Sequence, residues 1–149
     1  MSNFVTLLVE DDPFQREALA DLLKVEGFKV IECTTGEAAE LIVASTGTEL
    51  QALITDHNLA GAMSGAQLAQ YARRRHPHLN IVIMSGKTVQ PIPVNTTFLQ
   101  KPFTAAQLLR SSPQLKNVRA KTIADFTRVI EQTGILQCEP GAIETRQPE

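Results

Sequence analysis

Four places along the chain carry side chains that could do chemistry together: Glu10 with Asp11, Asp56, Ser85 and Lys101. Each follows a short apolar run of the kind that forms a buried strand, so each is expected where a strand ends. Carboxylates at neighbouring strand ends point into one crevice, and two of them about 4 Å apart repel by about 4 kcal/mol at an effective dielectric of roughly 20. Something cationic must compensate. A hard divalent ion suits the group: Mg2+ takes oxygen ligands, is held by one or two carboxylates and keeps water and phosphate oxygens in the rest of its shell. Lys101 supplies a second positive charge, fitted to a phosphoryl oxygen.

The elements that must position these residues follow from the alternation of β-branched apolar runs with amphipathic segments. Phe4 to Val9 reads as a buried strand. Asp12-Pro13, followed by Gln15, then reads as an N-cap, a first-turn proline and a capping-box partner, opening a helix with Phe14, Ala18, Leu19, Leu22 and Leu23 at helical spacing and Gly27 as its stop. Lys29 to Cys33 is a second strand, Thr35 to Ala44 a second helix with Ala38, Leu41 and Ile42 on one face, and Gly47 ends it. Ala52 to Thr55 is the third strand, running into Asp56, with a glycine-containing loop from Leu59 to Met63 behind it. Ser64 and Gln67 make a capping box for a helix carrying Leu68, Ala69 and Ala72. Ile81 to Met84 is the fourth strand, Phe98-Leu99 marks the fifth, and Thr104 with Gln107 caps a helix containing Leu108 and Leu109. Right-handed crossovers turn this order into an α/β fold, a doubly wound five-stranded parallel sheet with helices on both faces.

Composition agrees with an ordinary globular domain and excludes several classes. The 149 residues carry 14 basic and 16 acidic side chains, 43% hydrophobic residues and 8 each of glycine and proline. The formal charge of −2 offers no global attraction to nucleic acid or to an anionic membrane. Two distant cysteines, Cys33 and Cys138, rule out a disulfide scaffold. Met1 to Glu10 lacks a basic leader and no apolar run approaches the roughly 18 residues of a membrane span, so a cytoplasmic location is expected.

From Val5 to Leu109 the sequence resembles the receiver domain of two-component response regulators. The resemblance rests on Leu-Leu-Val-Glu-Asp-Asp-Pro at 7–13, Leu-Ile-Thr-Asp-His-Asn-Leu at 53–59, Met-Ser-Gly at 63–65, Ile-Val-Ile-Met-Ser-Gly at 81–86 and Phe-Leu-Gln-Lys-Pro-Phe at 98–103, in that order. It implies a flavodoxin-like fold and a phosphorylation-switched signalling module rather than an enzyme. It further implies Asp56 as phosphoacceptor, Asp11 and Asp56 as direct ligands of Mg2+, Glu10 as a ligand through water and Asn58 as one through its backbone carbonyl. Ser85 would hydrogen-bond the phosphoryl group and Lys101 would pair with it. Ser85 and Phe98 would form the switch, and Pro102 would follow the lysine through a cis bond. The implied donor is a sensor histidine kinase or a histidine phosphotransfer protein.

Two features depart from the family pattern. Only 16 positions separate Ser85 from Lys101, fewer than the family usually keeps, and Pro91 and Pro93 fall between them. Each proline removes an amide donor and disfavours helix in the residue before it, so the family's fourth helix is expected to be shortened or missing. Ala60-Gly61 stands where the family usually has proline, which should loosen the loop after Asp56. Beyond a receiver domain at 1–111, residues 112–149 read as a helical extension and tail. Ser112-Pro113 starts a helix there, Gly134 stops it, and Leu115, Val118, Thr122, Ile123, Phe126, Val129 and Ile130 form a stripe. That stripe could pack on the domain or on a second chain as a homodimer.

Several residues have plainer readings. Asp12 is expected to cap the helix rather than bind metal. Arg73 to Arg75 are cations in the last turn of a helix, as the macrodipole favours. His57, His76 and His78 read as solvated or loop histidines, and Cys33 as core. The alternative function is a Mg2+-dependent phosphatase with an aspartyl nucleophile, which wants a second acid two residues after the nucleophile, where Asn58 stands. Direct DNA binding is not expected, since the 40 residues after Leu109 are too few for an independent domain.

Overall fold

The computed structural model describes residues 5–25, 27–46, 50–89 and 91–111. Strands β1 (Val5–Val9), β2 (Lys29–Cys33), β3 (Leu50–Asp56), β4 (Asn80–Ser85) and β5 (Thr96–Gln100) form a single parallel sheet in the order β2-β1-β3-β4-β5. This is the flavodoxin-like doubly wound order, in which the crevice lies at the carboxyl ends of the strands where the order reverses.

Side-chain alternation along each strand divides the core in two. Leu8, Ile54, Val82 and Met84 point to the face covered by α1 (Pro13–Val25) and α4 (Ala105–Leu109). Leu7, Val9, Leu53, Ile81 and Ile83 point to the face covered by α2 (Gly36–Thr46) and α3 (Gly65–Arg75). Because β1, β3 and β4 are covered on both faces, they read as continuous apolar runs rather than as alternating patterns. Cys33 belongs to the second core, as expected.

Helix ends follow local side-chain chemistry. Ser64 and Thr104 each accept from the backbone three residues on, while Gln67 and Gln107 reach back to the cap N–H, so both expected capping boxes are present. Asp12 caps α1, its Oδ1 accepting from Phe14 at 2.9 Å and Gln15 at 3.2 Å. Gln15 does not complete that box: the Asp12 N–H donates to Glu10 Oε2 at 3.2 Å, and the Gln15 side chain turns to Lys101. Gly27 ends α1 at φ +91°, a conformation that suits glycine.

The buried stripe of α2 is Ala39 and Val43, with Ile42 beside it, whereas Ala38 and Leu41 face solvent. The face expected from the pattern is therefore out of phase. This helix is apolar nearly all round, so periodicity could not choose its inner side; the crossover between β2 and β3 does.

Among the described residues between β4 and β5, none is helical, in keeping with the two prolines. Val89, buried in this connection, belongs to the core on the α2/α3 side, and half-buried Ile92 and Phe98 of β5 each pack against that core. The expected C-terminal helix and tail, residues 112–149, lie outside the described residues, as do Phe4 and Gly47.

Arg73 does more than answer the helix dipole. Its Nη1 donates to the carbonyls of Pro77 at 2.9 Å and Leu79 at 2.7 Å, and its Nη2 to that of Asn95 at 3.0 Å. One guanidinium thus ties the end of α3 to the segments entering β4 and β5. His76 is likewise engaged, its Nε2 3.1 Å from the Val43 carbonyl of α2. We expect Arg73→Ala to lower unfolding free energy by about 2 kcal/mol, the range for hydrogen bonds from a charged donor. Arg74→Ala, on the exposed side of the same turn, should change it by less than about 0.5 kcal/mol. Urea denaturation of the two variants checks this, and equal effects would contradict the clasp.

Candidate functional site

Strand register brings the chemically capable residues together. Val9 pairs with Thr55, Asp56 with Met84 and Ser85 with Gln100, so Glu10, Asp56, Ser85 and Lys101 emerge side by side at one sheet edge. Three backbone bonds continue the ladder past the strand ends: Glu10 N–H to the Cys33 carbonyl at 3.1 Å, His57 N–H to that of Met84 at 2.8 Å and Lys101 N–H to that of Ser85 at 2.8 Å. The site is thus an extension of the sheet.

Glu10, Asp11 and Asp56 each bring a carboxylate oxygen within 4.8 Å of the others. Glu10 and Asp56 are buried at 1% and 7% exposure, whereas Asp11 is open to solvent. Lys101 Nζ lies 3.1 Å from Asp56 Oδ1 and 3.5 Å from Glu10 Oε1. Burial pushes the Glu10 carboxyl up to about 7 and the charge of Asp56 adds to the rise, with Lys101 opposing both. Asp56 is also raised, by burial first, with Lys101 opposing and Asp11 adding.

Among the described residues, Glu10 Oε1 is buried without a hydrogen-bond donor, and only the 3.5 Å ion pair reaches it. An orphaned carboxylate oxygen beside two others forms an oxygen-only donor set with surplus negative charge. That set fits a hard divalent cation rather than a soft transition metal.

Ser85, 2% exposed, accepts at Oγ from the Lys87 N–H at 3.2 Å, which leaves its own hydroxyl proton available for donation. The Lys101–Pro102 peptide bond is cis, as expected. Phe98 is half-buried on β5, and Asn58 lies two residues beyond Asp56 in the loop leading to α3.

That loop is not loose. Glu37, in the first turn of α2, accepts at Oε2 from the N–H groups of Ala62 at 2.9 Å and Met63 at 3.0 Å. Gly61 has φ +95°, and a Cβ there would stand 2.7 Å from Glu37 Oε1. The glycine that replaces the family's usual proline region therefore makes room for this clamp.

A family model for the response regulator receiver domain matches residues 6–112. The chain belongs to that family. Similar proteins include the response regulator protein FleR of Pseudomonas aeruginosa, 37% identical over 109 residues that make up 69% of this chain and 22% of FleR. The transcriptional regulatory protein FixJ of Azorhizobium caulinodans is 30% identical over 108 residues, 68% of this chain and 50% of FixJ. This receiver chain thus spans from about a fifth to half the length of those relatives. Among solved structures, a response regulator receiver protein from Sinorhizobium medicae aligns with a TM-score of 0.69 at 28% identity, over 77% of this chain and 95% of that one. The receiver domain of the hybrid histidine kinase CckA aligns with a TM-score of 0.65 at 29% identity, over 74% and 97%. Among the described residues, no helix is long and apolar enough to cross a membrane.

Three supports of this receiver's site had no clear signal in the sequence. Arg16 donates to the Glu10 carbonyl at 2.9 Å and pairs with Glu32 at 3.5 Å, fixing the backbone under the acidic pair. His57 is no solvated histidine: its carbonyl accepts from Gly65 N–H at 2.8 Å and its Nδ1 from Ala66 N–H at 3.3 Å, so it braces the start of α3. Gly65 lets α3 approach, since a Cβ there would lie 2.2 Å from the Asp56 carbonyl oxygen and 2.8 Å from His57 Cα. Both obstacles are backbone and cannot swing away. Gly65→Ala should destabilise the receiver by about 3 kcal/mol or more, the upper end of overpacking costs. Gly86→Ala, where a Cβ would meet nothing within 4 Å, should change stability by less than about 1 kcal/mol. Denaturation midpoints that fall equally would contradict this account.

Proposed function

We propose that this receiver accepts a phosphoryl group on Asp56 from a histidine kinase or phosphotransfer protein, in a Mg2+-dependent reaction, and signals through protein–protein contacts. The observation that carries the reading is the convergence of Lys101 Nζ on Asp56 Oδ1 and Glu10 Oε1 beside a third carboxylate. A buried acid cluster with one lysine is poor as a structural ion pair, because surplus negative charge is left unanswered. As a cradle for a cation and a phosphoryl group it is balanced.

In the transfer, a carboxylate oxygen of Asp56 attacks phosphorus and the new O–P bond forms as the donor's P–N bond breaks. The electron pair of that bond stays on the donor imidazole nitrogen. The protein's part is positioning and answering charge on the phosphoryl oxygens. Lys101 turns one N–H from Asp56 toward a phosphoryl oxygen, and the Ser85 hydroxyl donates to another. Held by Asp11, Asp56, the Asn58 carbonyl and, through water, Glu10, Mg2+ would neutralise charge on the phosphoryl oxygens. The product is an acyl phosphate, which water can hydrolyse, so the mark is temporary.

The readout would begin at Ser85. Its Oγ now accepts from Lys87 N–H, and engagement with a phosphoryl group would draw on the connection after β4, whose Val89 and Ile92 share one core with Phe98. Phe98 is the aromatic placed to change rotamer. With no helix among the described residues of that connection, the changed surface would consist of loop and β5. Residues 1–111 would form the receiver and 112–149 an extension that carries output or self-association through its apolar stripe. The likeness to the receiver domain of the hybrid histidine kinase CckA supports a histidine-based phosphodonor.

Incubation with acetyl phosphate and Mg2+ should add the mass of one phosphoryl group. Asp56→Ala should abolish the gain, and so should chelation of the divalent ion. Full labelling of that variant, read by intact mass, would contradict the assignment.

A further inference from the structure

The transfer reaction leaves Gln15 without a role. It sits at the third position of α1, where its side chain would ordinarily close a capping box onto Asp12 N–H. That donor is already taken by Glu10 Oε2. The Gln15 amide instead reaches across the crevice, and its Oε1 accepts from Lys101 Nζ at 3.2 Å, joining residues 86 positions apart. An ammonium has three N–H donors, and here three oxygens face it: Asp56 Oδ1, Glu10 Oε1 and Gln15 Oε1.

The three partners differ in kind. Two are charged and stand among the groups assigned to the cation and the phosphoryl group. The third is neutral and belongs to a helix fixed by its own cap at Asp12. Lysine is a flexible four-carbon stem ending in a point charge, so its direction must be set by what it binds. When a phosphoryl group arrives, the two carboxylates change partners, and a neutral acceptor outside that exchange is the contact able to persist.

We propose that Gln15 is a positioning residue for Lys101: its side-chain carbonyl holds the ammonium over Asp56 so that one N–H can pass from carboxylate to phosphoryl oxygen without the stem swinging into solvent. This rests on the reading of Lys101 as the phosphoryl partner. A carboxylate at this position would hold the lysine equally well but add a fourth acid to the crevice. An aliphatic side chain would leave it unheld.

The test compares Gln15→Met, which keeps length and helix propensity but lacks the carbonyl, with Gln15→Glu, which keeps an acceptor oxygen, and places Gln15→Met also in a Lys101→Met background. Labelling by acetyl phosphate in saturating Mg2+ gives the rate, and the 1H–15N signal of the Lys101 ammonium reports how firmly it is held. We expect Gln15→Met to slow labelling about three- to tenfold, the effect of one hydrogen bond, and to broaden or lose the ammonium signal. Mg2+ affinity should remain within about twofold of wild type, since Gln15 offers nothing to the cation. Gln15→Glu should recover the signal. In the Lys101→Met background, Gln15→Met should cause no further loss. A wild-type rate and signal in Gln15→Met, or an equal loss when Lys101 is already absent, would overturn the proposal. A wild-type rate in Lys101→Met alone would instead strike the reading of Lys101, and the positioning role with it.

Discussion

Like charge held out of water is the constraint around which this receiver is built. Glu10 and Asp56 are almost fully buried at adjacent strand ends, with Asp11 beside them, and a single lysine faces both buried acids. Left to themselves, the carboxylates would separate or bind protons, and the upward displacement of Glu10 and Asp56 expresses that tendency. The fold keeps them together because they are attached to a sheet whose apolar pairings cannot shift. A one-residue slip of β1 against β3 would turn Leu7, Leu8 and Val9 to the wrong faces. The core thus fixes the register, and the register fixes the charges.

Backbone rather than side-chain contacts do most of this fixing. The ladder bonds of Glu10, His57 and Lys101 carry the sheet one residue past its strands, and Gly65 brings the start of α3 against the Asp56 carbonyl. Glu37 closes the loop after Asp56 from the opposite helix, and Arg16 holds the Glu10 carbonyl from α1. Each face of the sheet therefore contributes to the site, in keeping with ligand crevices at the switch point of doubly wound sheets.

Much of this was legible in the residues. Apolar runs placed the five strands, capping boxes at Ser64 and Thr104 placed two helix starts, and Pro91 with Pro93 excluded a helix before β5. The candidate site residues Glu10, Asp11, Asp56, Ser85 and Lys101 were readable because each stands at or just past the end of an apolar run that forms a strand. What escaped depended on tertiary geometry. The inner face of α2 could not be chosen by pattern when apolar residues ring the helix. Gln15 looked like a cap partner because the competing donor, Asp12 N–H to Glu10, exists only once β1 and α1 are folded. Arg73 looked like a dipole charge because its carbonyl partner at Asn95 is 22 positions away. His57 looked like a loop residue because the start of α3 that it supports is brought to it only when the loop after Asp56 folds back.

The most direct test of stored charge replaces one buried carboxylate by its neutral isostere. Glu10→Gln keeps an acceptor for the Asp12 N–H and removes the repulsion with Asp56. Unfolding free energies of the two proteins would be measured in chelator and in saturating Mg2+, at about pH 8, where Glu10 in the wild type is largely ionised. In chelator the variant should be the more stable by on the order of 2 kcal/mol, from the displacement of Glu10 toward neutrality. In Mg2+ the wild type should gain more than the variant, and the difference should narrow or reverse. A variant no more stable than wild type in chelator, with the same gain from Mg2+, would contradict the account.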